Sequence, residues 1–227
     1  PVTTTVNQFF LGDDILINKN YNTKKIRKLN SKINVDWILH DNTGYVFPGG
    51  AALNLQTKML EGSWNKVAKK FRPIILTDEI FKLWFDHGAN PKNESYEYVI
   101  IPNADDEIMH EYEKNKPIEI NNTASIQQVS SADKNNAGIV FYKAGKSRLL
   151  DGIQSEQACL VMVKKEGDLL KLSVSDPTQK MKMLRLIIGG RYSGEYAEVS
   201  GKRTKLNIPL PQKSEAGKTI IVALNKK

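Results

Sequence analysis

Phe81, Leu83 and Phe85 fall on one side of an extended segment, with Lys82, Trp84 and Asp86 on the other. This period-two alternation predicts a half-buried strand. His87-Gly88-Ala89-Asn90-Pro91 then breaks the pattern, and its Gly, Asn and Pro predict a turn. Tyr96, Tyr98 and Ile100 alternate with Glu97, Val99 and Ile101 in a second strand, closed by Pro102-Asn103. The two strands are expected to pair as a hairpin at the centre of a large antiparallel sheet.

The same reading extends along the chain. Residues 2–10 and 15–17 are expected strands, separated by a turn at Gly12-Asp13-Asp14. Residues 18–32 are polar and basic, with Ile26 and Leu29 the only aliphatic residues, and predict a surface loop. Residues 35–39 and 45–47 form a second expected hairpin about His40-Asp41-Asn42-Thr43-Gly44, ended by Pro48-Gly49-Gly50. Residues 51–56 predict a further strand, and 61–65 a turn that carries Trp64. One helix is expected over 104–115, with acids at its start, Lys114 and Lys116 at its end, an apolar stripe of Ile108, Met109 and Tyr112, and Pro117 as its stop. Beyond it come short strands at 126–129, 138–142, 158–163, 170–174, 184–188, 196–199, 206–208 and 219–224. Many short strands separated by turn signals predict a sandwich. The domain boundary is placed at Pro117, giving domains 1–117 and 118–227.

Composition narrows the class. The chain has 227 residues, 40% hydrophobic and 26% charged, which suits a folded globular protein. The longest apolar run, 158–163, is strand length, far short of the roughly 20 residues of a membrane span. No signal peptide is visible, and the chain does not start with Met, so it is expected to begin after processing or within something longer. The single cysteine, Cys159, rules out an internal disulfide framework and a cysteine zinc site; it is expected to be a buried strand residue. Charge is uneven. Residues 1–117 hold 15 Lys+Arg and 15 Asp+Glu, whereas 118–227 hold 18 and 10, so the whole net charge of +8 lies in the second half. A one-sided basic field points to a polyanionic partner, or serves solubility alone.

Catalytic signatures are sparse. His110-Glu111 has no second histidine four places on, and there is no GxSxG or GxxxxGK[ST]. Gly189-Gly190 follows a strand but no helix follows it, so a dinucleotide site is not expected. Asp105-Asp106-Glu107 reads as a helix start before it reads as a cation site. No cofactor and no metal are expected. His40 and His87 each end a strand beside an Asp; such a residue can act as a base, or can hold its turn by bonding loop carbonyls. Trp37 follows the apolar pattern of its strand and belongs to the core, while Trp64, in a turn, is the better candidate for stacking on a sugar. Arg148, Arg185, Arg191, Lys202, Arg203 and Lys205 are the candidate contacts for carboxylate or sulfate groups. Nucleic acid is not an expected partner, because the basic residues are not interleaved with stacking aromatics.

Several stretches, TTTVNQFFLGDD, WILHDNTGYVFP, EGSW, LWFDHGANPKNESYEYVIIPN and LKLSVSDPTQK, occur in this order. Together they resemble the C-terminal β portion of polysaccharide lyase family 8, the family of chondroitin AC lyase, hyaluronate lyase and xanthan lyase. The resemblance implies an all-β fold: the latter part of an antiparallel β-super-sandwich, then a small C-terminal β-sandwich. It implies a role in degrading acidic polysaccharide by β-elimination, with the catalytic Asn, His, Tyr and Arg on an N-terminal α/α-toroid domain. No residue here matches those motifs, so no catalytic residue is carried over. The implied partners are that helical domain and an acidic, glycosaminoglycan-like polysaccharide; the implied location is extracellular or periplasmic, in a bacterium. Two readings stand: a non-catalytic brace for the catalytic domain, and a stand-alone carbohydrate-binding module for anionic glycans. Under the first, residues 1–117 are expected to expose an unpaired sheet edge or an apolar face.

Overall fold

The computed structural model describes residues 1–150 and 152–227. The chain divides into two compact units, Pro1–Lys114 and Asn115–Lys227. In the first, β1 (Thr3–Phe10), β2 (Ile15–Lys19), β3 (Asn22–Ile26), β4 (Asn30–His40), β5 (Thr43–Gly62) and β6 (Leu76–Asp86) form one antiparallel sheet in the order β1-β6-β5-β4-β2-β3. A seventh strand, β7 (Val99–Pro102), lies beside the first part of β5. The helices are α1 (Trp64–Val67) and α2 (Asp106–Asn115).

The long strand β5 organises this sheet. Its 20 residues run through Pro48-Gly49-Gly50, where a strand end was expected. Trp37 faces Val46 and Val35 faces Ala51, so Phe47 to Gly50 are extra residues opposite Asp36. Pro48 and the positive φ of Gly49 (77°) and Gly50 (79°) bend the strand, but β4 continues past the bend and the ladder resumes. Gly50 is also required sterically. A Cβ there would lie 2.6 Å from Lys19 Nζ and 3.0 Å from Asp36 Oδ1, and those two atoms form an ion pair of 2.6 Å.

The bend also corrects the expected hairpin of residues 81–86 with 96–101. β6 pairs with the second half of β5, from Asn54 to Gly62, and with β1. β7 pairs with the first half, Thr43 to Val46. One long strand thus serves both as partners at different points along its length. Tyr96 and Tyr98 do not extend a ladder; their rings gather around Phe85, at 5.6 and 6.4 Å. The loop expected over 18–32 is also corrected. It contains the β2–β3 hairpin, turning on Asn20 and Tyr21 in left-handed conformation (φ 53° and 60°). β3 is an edge strand whose lysines face water, so its composition reads as loop.

Each face of the sheet buries a different core. Ile15, Val35, Ile38, Tyr45, Phe47, Leu53, Leu55, Phe81, Leu83 and Phe85 fill one. Trp37, Leu39 and Val46 fill the other, under Ala104 and Met109 at helix α2. Gly44 permits that approach, because Met109 Sδ occupies the space a Cβ would need. Of the expected helix stripe, Met109 is buried and Tyr112 half-buried, but Ile108 is exposed. Trp37 is core, as the alternation implied.

The second unit packs two antiparallel sheets. Strands β8 (Ile118–Asn122), β9 (Ile126–Ser131), β10 (Asn136–Phe141), β11 (Gly145–Lys146), β12 (Gln154–Ser155), β13 (Cys159–Glu166), β14 (Leu169–Ser175), β15 (Met183–Gly189), β16 (Tyr192–Gly194), β17 (Ala197–Ser200), β18 (Arg203–Pro209) and β19 (Ile220–Lys226) make them. The sheets run β16-β19-β14-β13-β10-β9-β8 and β11-β12-β15-β18-β17. Strict alternation supplies the core: Cys159, Val161, Leu172, Val174 and Leu224 from one sheet, and Leu184, Leu186, Ile188, Leu206 and Ile208 from the other. Each such side chain contributes roughly 1.5–3 kcal/mol by leaving water. Cys159 sits in this core; burial, above the smaller effects of Ser155 and Asp176, pushes its thiol up to about 11. Every strand expected in this half is present, with β8, β11, β12 and β16 in addition. Tyr196, expected in a strand, is a turn residue with φ 62° just before β17.

Two predictions follow from the first unit. Gly50→Ala combines a strained φ with displacement of the Lys19–Asp36 pair, so urea denaturation is expected to show a loss of about 2 kcal/mol; an unchanged midpoint would remove the steric role of Gly50. His40 is 1% exposed, its ring stacks on Phe81 at 4.2 Å, and its Nε2 has no hydrogen-bond partner. Burial lowers its pKa, against smaller opposing effects of Asp41 and Asp13. The unfolded chain therefore binds the proton more readily, so stability is full above about pH 6.5 and falls as pH drops below it. The unfolding midpoint of wild type should decline as pH falls below about 6.5, and His40→Leu should flatten that decline. An equal slope in both proteins would show that His40 is not its source.

Candidate functional site

Trp64 belongs to the first unit and the six candidate cations to the second. Trp64 opens the one-turn helix α1 and is 62% exposed. The Phe71 ring stands 6.2 Å from it, and the Asn65 side chain anchors the segment by donating to the Phe71 carbonyl at 2.9 Å. Val67, Phe71, Ile74, Ile75 and Leu76 nearby in sequence are also exposed, as are Phe9, Phe10, Met59 and Leu60 on β1 and β5. Trp64 thus lies in an apolar stretch of surface, and β1 and β3 are the open edges of the sheet. Neither feature is specific to sugar.

Arg185 and Lys205 are brought together on the outer face of the five-stranded sheet. Register places Ile187 opposite Lys205 and Arg185 opposite Asn207. With Glu156 and Glu198 these residues line an open cleft of about 350 Å³. The cations are matched by acids: Arg185 Nη1 lies 3.9 Å from Glu156 Oε2, and Glu198 is the register partner of Lys205.

The backbones of Arg191, Lys202 and Arg203 come together at a corner where the chain leaves β15 in one sheet and enters β16 in the other, and Arg203 lies two residues before Lys205 on the exposed face of β18. Buried Thr204 holds that corner. Its hydroxyl donates to the Gly190 carbonyl at 3.0 Å and accepts the Tyr192 N–H at 2.9 Å. Gly190 N donates to the Lys202 carbonyl at 3.0 Å, and Lys227 N donates to the Arg191 carbonyl at 2.8 Å. Gly190, without a role in the sequence pattern, is explained by crowding. A Cβ on Gly152 would collide with the Gly189 backbone, and one on Gly190 would lie 2.9 Å from the Tyr192 ring. Arg191, Lys202 and Arg203 are exposed, and none makes an ion pair among the described residues.

Arg148 stands apart from both groups. Its N–H donates to Gln128 Oε1 at 3.1 Å, which also accepts the Ser147 hydroxyl at 2.7 Å. Gln128 is buried, so this bond fixes the loop and leaves the guanidinium exposed. A similar device explains the DPTQK segment. Burial raises the Asp176 pKa, but hydrogen bonds from the Thr178 hydroxyl and the amides of Met181, Thr178 and Lys180 outweigh it and hold the carboxyl below its ordinary range.

The histidines and acids have structural partners. His87 Nε2 is hydrogen-bonded to Thr4 Oγ1 at 2.9 Å and its ring stacks on Phe85. His110 lies beside Asp106 and Glu113 on α2. Asp105 caps the start of α2, accepting the Ile108 N–H at 2.8 Å, and Asp14 pairs with Lys25 at 2.8 Å. Among the described residues no group of three His, Cys, Asp or Glu is placed to hold a metal.

Sequence reasoning missed two surfaces. Lys226 and Lys227 adjoin the Arg191 corner only because β16 pairs with β19, placing Tyr192 opposite Lys226. An apolar groove of about 490 Å³ crosses the outer face of the seven-stranded sheet, with Val129, Met162 and Ile221 among its lining residues. Met162 lies in the uninterrupted apolar run 158–163, where alternation gives no signal, and it is 67% exposed.

Comparison with known proteins accounts for both units. The polysaccharide lyase family 8 super-sandwich domain matches residues 1–113, and the C-terminal beta-sandwich domain of the same family matches residues 120–185. Chondroitinase-AC of Pedobacter heparinus is 30% identical over 223 residues, which are 96% of this chain and 31% of that protein. Xanthan lyase of a Bacillus species is 34% identical over 158 residues, 64% of this chain and 17% of that protein. The solved structure of Paenibacillus xanthan lyase superposes with a TM-score of 0.84 at 25% identity, covering 99% of this chain and 24% of that one. A chondroitinase AC lyase solved with oligosaccharides superposes with a TM-score of 0.82 at 28% identity, covering 96% and 32%. The chain spans about a third or less of the relatives it matches.

The corner yields a prediction. Thr204→Val keeps the shape but leaves the Gly190 carbonyl and Tyr192 N–H unpaired, at a cost of about 1–3 kcal/mol. Thermal unfolding should register this, and Thr204→Ser should restore most of it. Equal stability of all three proteins would show that the hydroxyl does not hold the corner.

Proposed function

Because the chain belongs to polysaccharide lyase family 8, we propose that it is the non-catalytic β portion of a lyase that cleaves an acidic polysaccharide by β-elimination outside a bacterial cell. The reaction takes a proton from C5 of a uronic acid and expels the 4-O-linked sugar. It needs a group that neutralises the uronate, a base and an acid close together. The observation that carries the reading is the match of residues 1–113 and 120–185 to the two β domains of the family, together with histidines whose partners are structural: His40 under Phe81, His87 on Thr4, and His110 beside Asp106. Catalysis then belongs to a helical domain elsewhere in the parent protein, which this portion braces. Export agrees with a chain whose one cysteine is buried and unpaired.

A second role, binding anionic glycan, is favoured by the exposed cations of the second unit and by the net charge of +8. The two roles are compatible.

The test of the first is turnover. The 227-residue chain, incubated with chondroitin sulfate, hyaluronan or xanthan, is expected to release no unsaturated uronide by ultraviolet absorbance. Release above a heat-denatured control, lost on His40→Ala or His87→Ala, would place catalysis in this chain and overturn the proposal.

A further inference from the structure

Apart from Arg148, the candidate cations of the second unit lie either beside carboxylates on the sheet face or, among the described residues, without an ion partner at the corner. On the outer sheet face, Arg185 and Lys205 are set against Glu156 and Glu198. At the corner, Arg191, Lys202 and Arg203 have no ion partner among the described residues. Register adds exposed Lys226, opposite Tyr192, and the Lys227 amide bonds the Arg191 carbonyl. Asp168 reaches this corner through its backbone, its carbonyl accepting the Lys226 N–H.

The corner is also rigid. The Gly190 carbonyl and the Tyr192 N–H, on either side of Arg191, are bound by one buried hydroxyl, that of Thr204. The Arg191 and Lys202 carbonyls accept backbone bonds from Lys227 and Gly190. Cations whose backbones are fixed against one another lose less freedom on binding than cations on separate mobile loops. Arginine further offers a planar fork that matches carboxylate and sulfate oxygens in pairs.

We propose that this corner, made by Arg191, Lys202 and Arg203 with Lys226 alongside, is a binding site for the carboxylate or sulfate groups of an acidic polysaccharide. The choice of polysaccharide rests on the lyase reading above. The charge alone suits any polyanion, but the aromatic ring at the corner, Tyr192, is half-buried and packed against the core, leaving no open stacking platform of the kind nucleic-acid bases use.

The experiment is calorimetric titration of the 227-residue chain with chondroitin sulfate, hyaluronan and single-stranded DNA at low and at physiological salt. Two double variants are compared, Arg191→Glu/Arg203→Glu and Arg185→Glu/Lys205→Glu. They change net charge equally, so a difference between them reports the site and not the overall field; circular dichroism confirms folding of each. Wild type is expected to bind glycan saturably and more weakly as salt screens the contacts. The corner variant should lose roughly tenfold or more in affinity, and the sheet-face variant less than about threefold. Binding of both glycans supports a carboxylate site, and binding of chondroitin sulfate alone supports a sulfate site. Equal losses, or a larger loss in the sheet-face variant, would overturn the corner as the site. Tighter binding of DNA than of either glycan would overturn the polysaccharide. No binding by wild type at low salt would overturn the corner proposal and leave the lyase reading standing, since that is decided by the turnover test.

Discussion

A strand of 20 residues can be hydrogen-bonded along its length by different partners only if it changes direction part-way. β5 does so at Pro48-Gly49-Gly50, and the first unit is arranged around that bend. Before it, β5 meets the end of β4 and β7; after it, the start of β4 and β6. The bend costs two residues in the left-handed region and a proline without an N–H, which glycine and an irregular ladder tolerate. The Lys19–Asp36 pair fills the space left by the absent side chain of Gly50. Both cores follow, because Trp37 and Ile38 turn to opposite faces of the same strand and each face is covered by different elements.

The second unit is simpler in its energetics. Alternation in β13, β14, β15 and β18 points one side of each sheet at the other, and the core is aliphatic. Three buried polar side chains hold places where the chain turns. Gln128 ties the 147–149 loop, Asp176 ties residues 178–181, and Thr204 ties the crossing between sheets. In each case a side chain supplies the hydrogen bonds that a backbone leaving its ladder has lost.

These ties set the surface chemistry. Among the candidate contacts, exposure alone does not distinguish Arg185 from Arg191. What distinguishes them is company: Arg185 shares its face with carboxylates, and Arg191 sits among other cations. A solvent-exposed ion pair contributes little stability, so Glu156 and Glu198 are better understood as limiting the field of that sheet face than as bracing it.

The sequence by itself determined the β class, the faces of β6, the single long helix, the turn at residues 41–42, the family likeness and the one-sided charge. These are local: side-chain alternation and turn chemistry depend on a few consecutive residues. Tertiary structure decided which strands pair, and so what lies beside what. Pro48-Gly49-Gly50 carries the same composition whether a strand ends there or bends there, and only β4 continuing beside it settles which. The β2–β3 hairpin read as loop because an edge strand can be as polar as one. The outward face of Met162 was not legible because an apolar run does not reveal which half faces out. Of the candidate cations, Arg185 and Lys205 are placed beside Glu156 and Glu198, and Arg191 and Lys202 apart from them, only through register and the crossing at Thr204. Pairing between residues far apart in the chain is set by the packing of the whole unit, and no local window contains it.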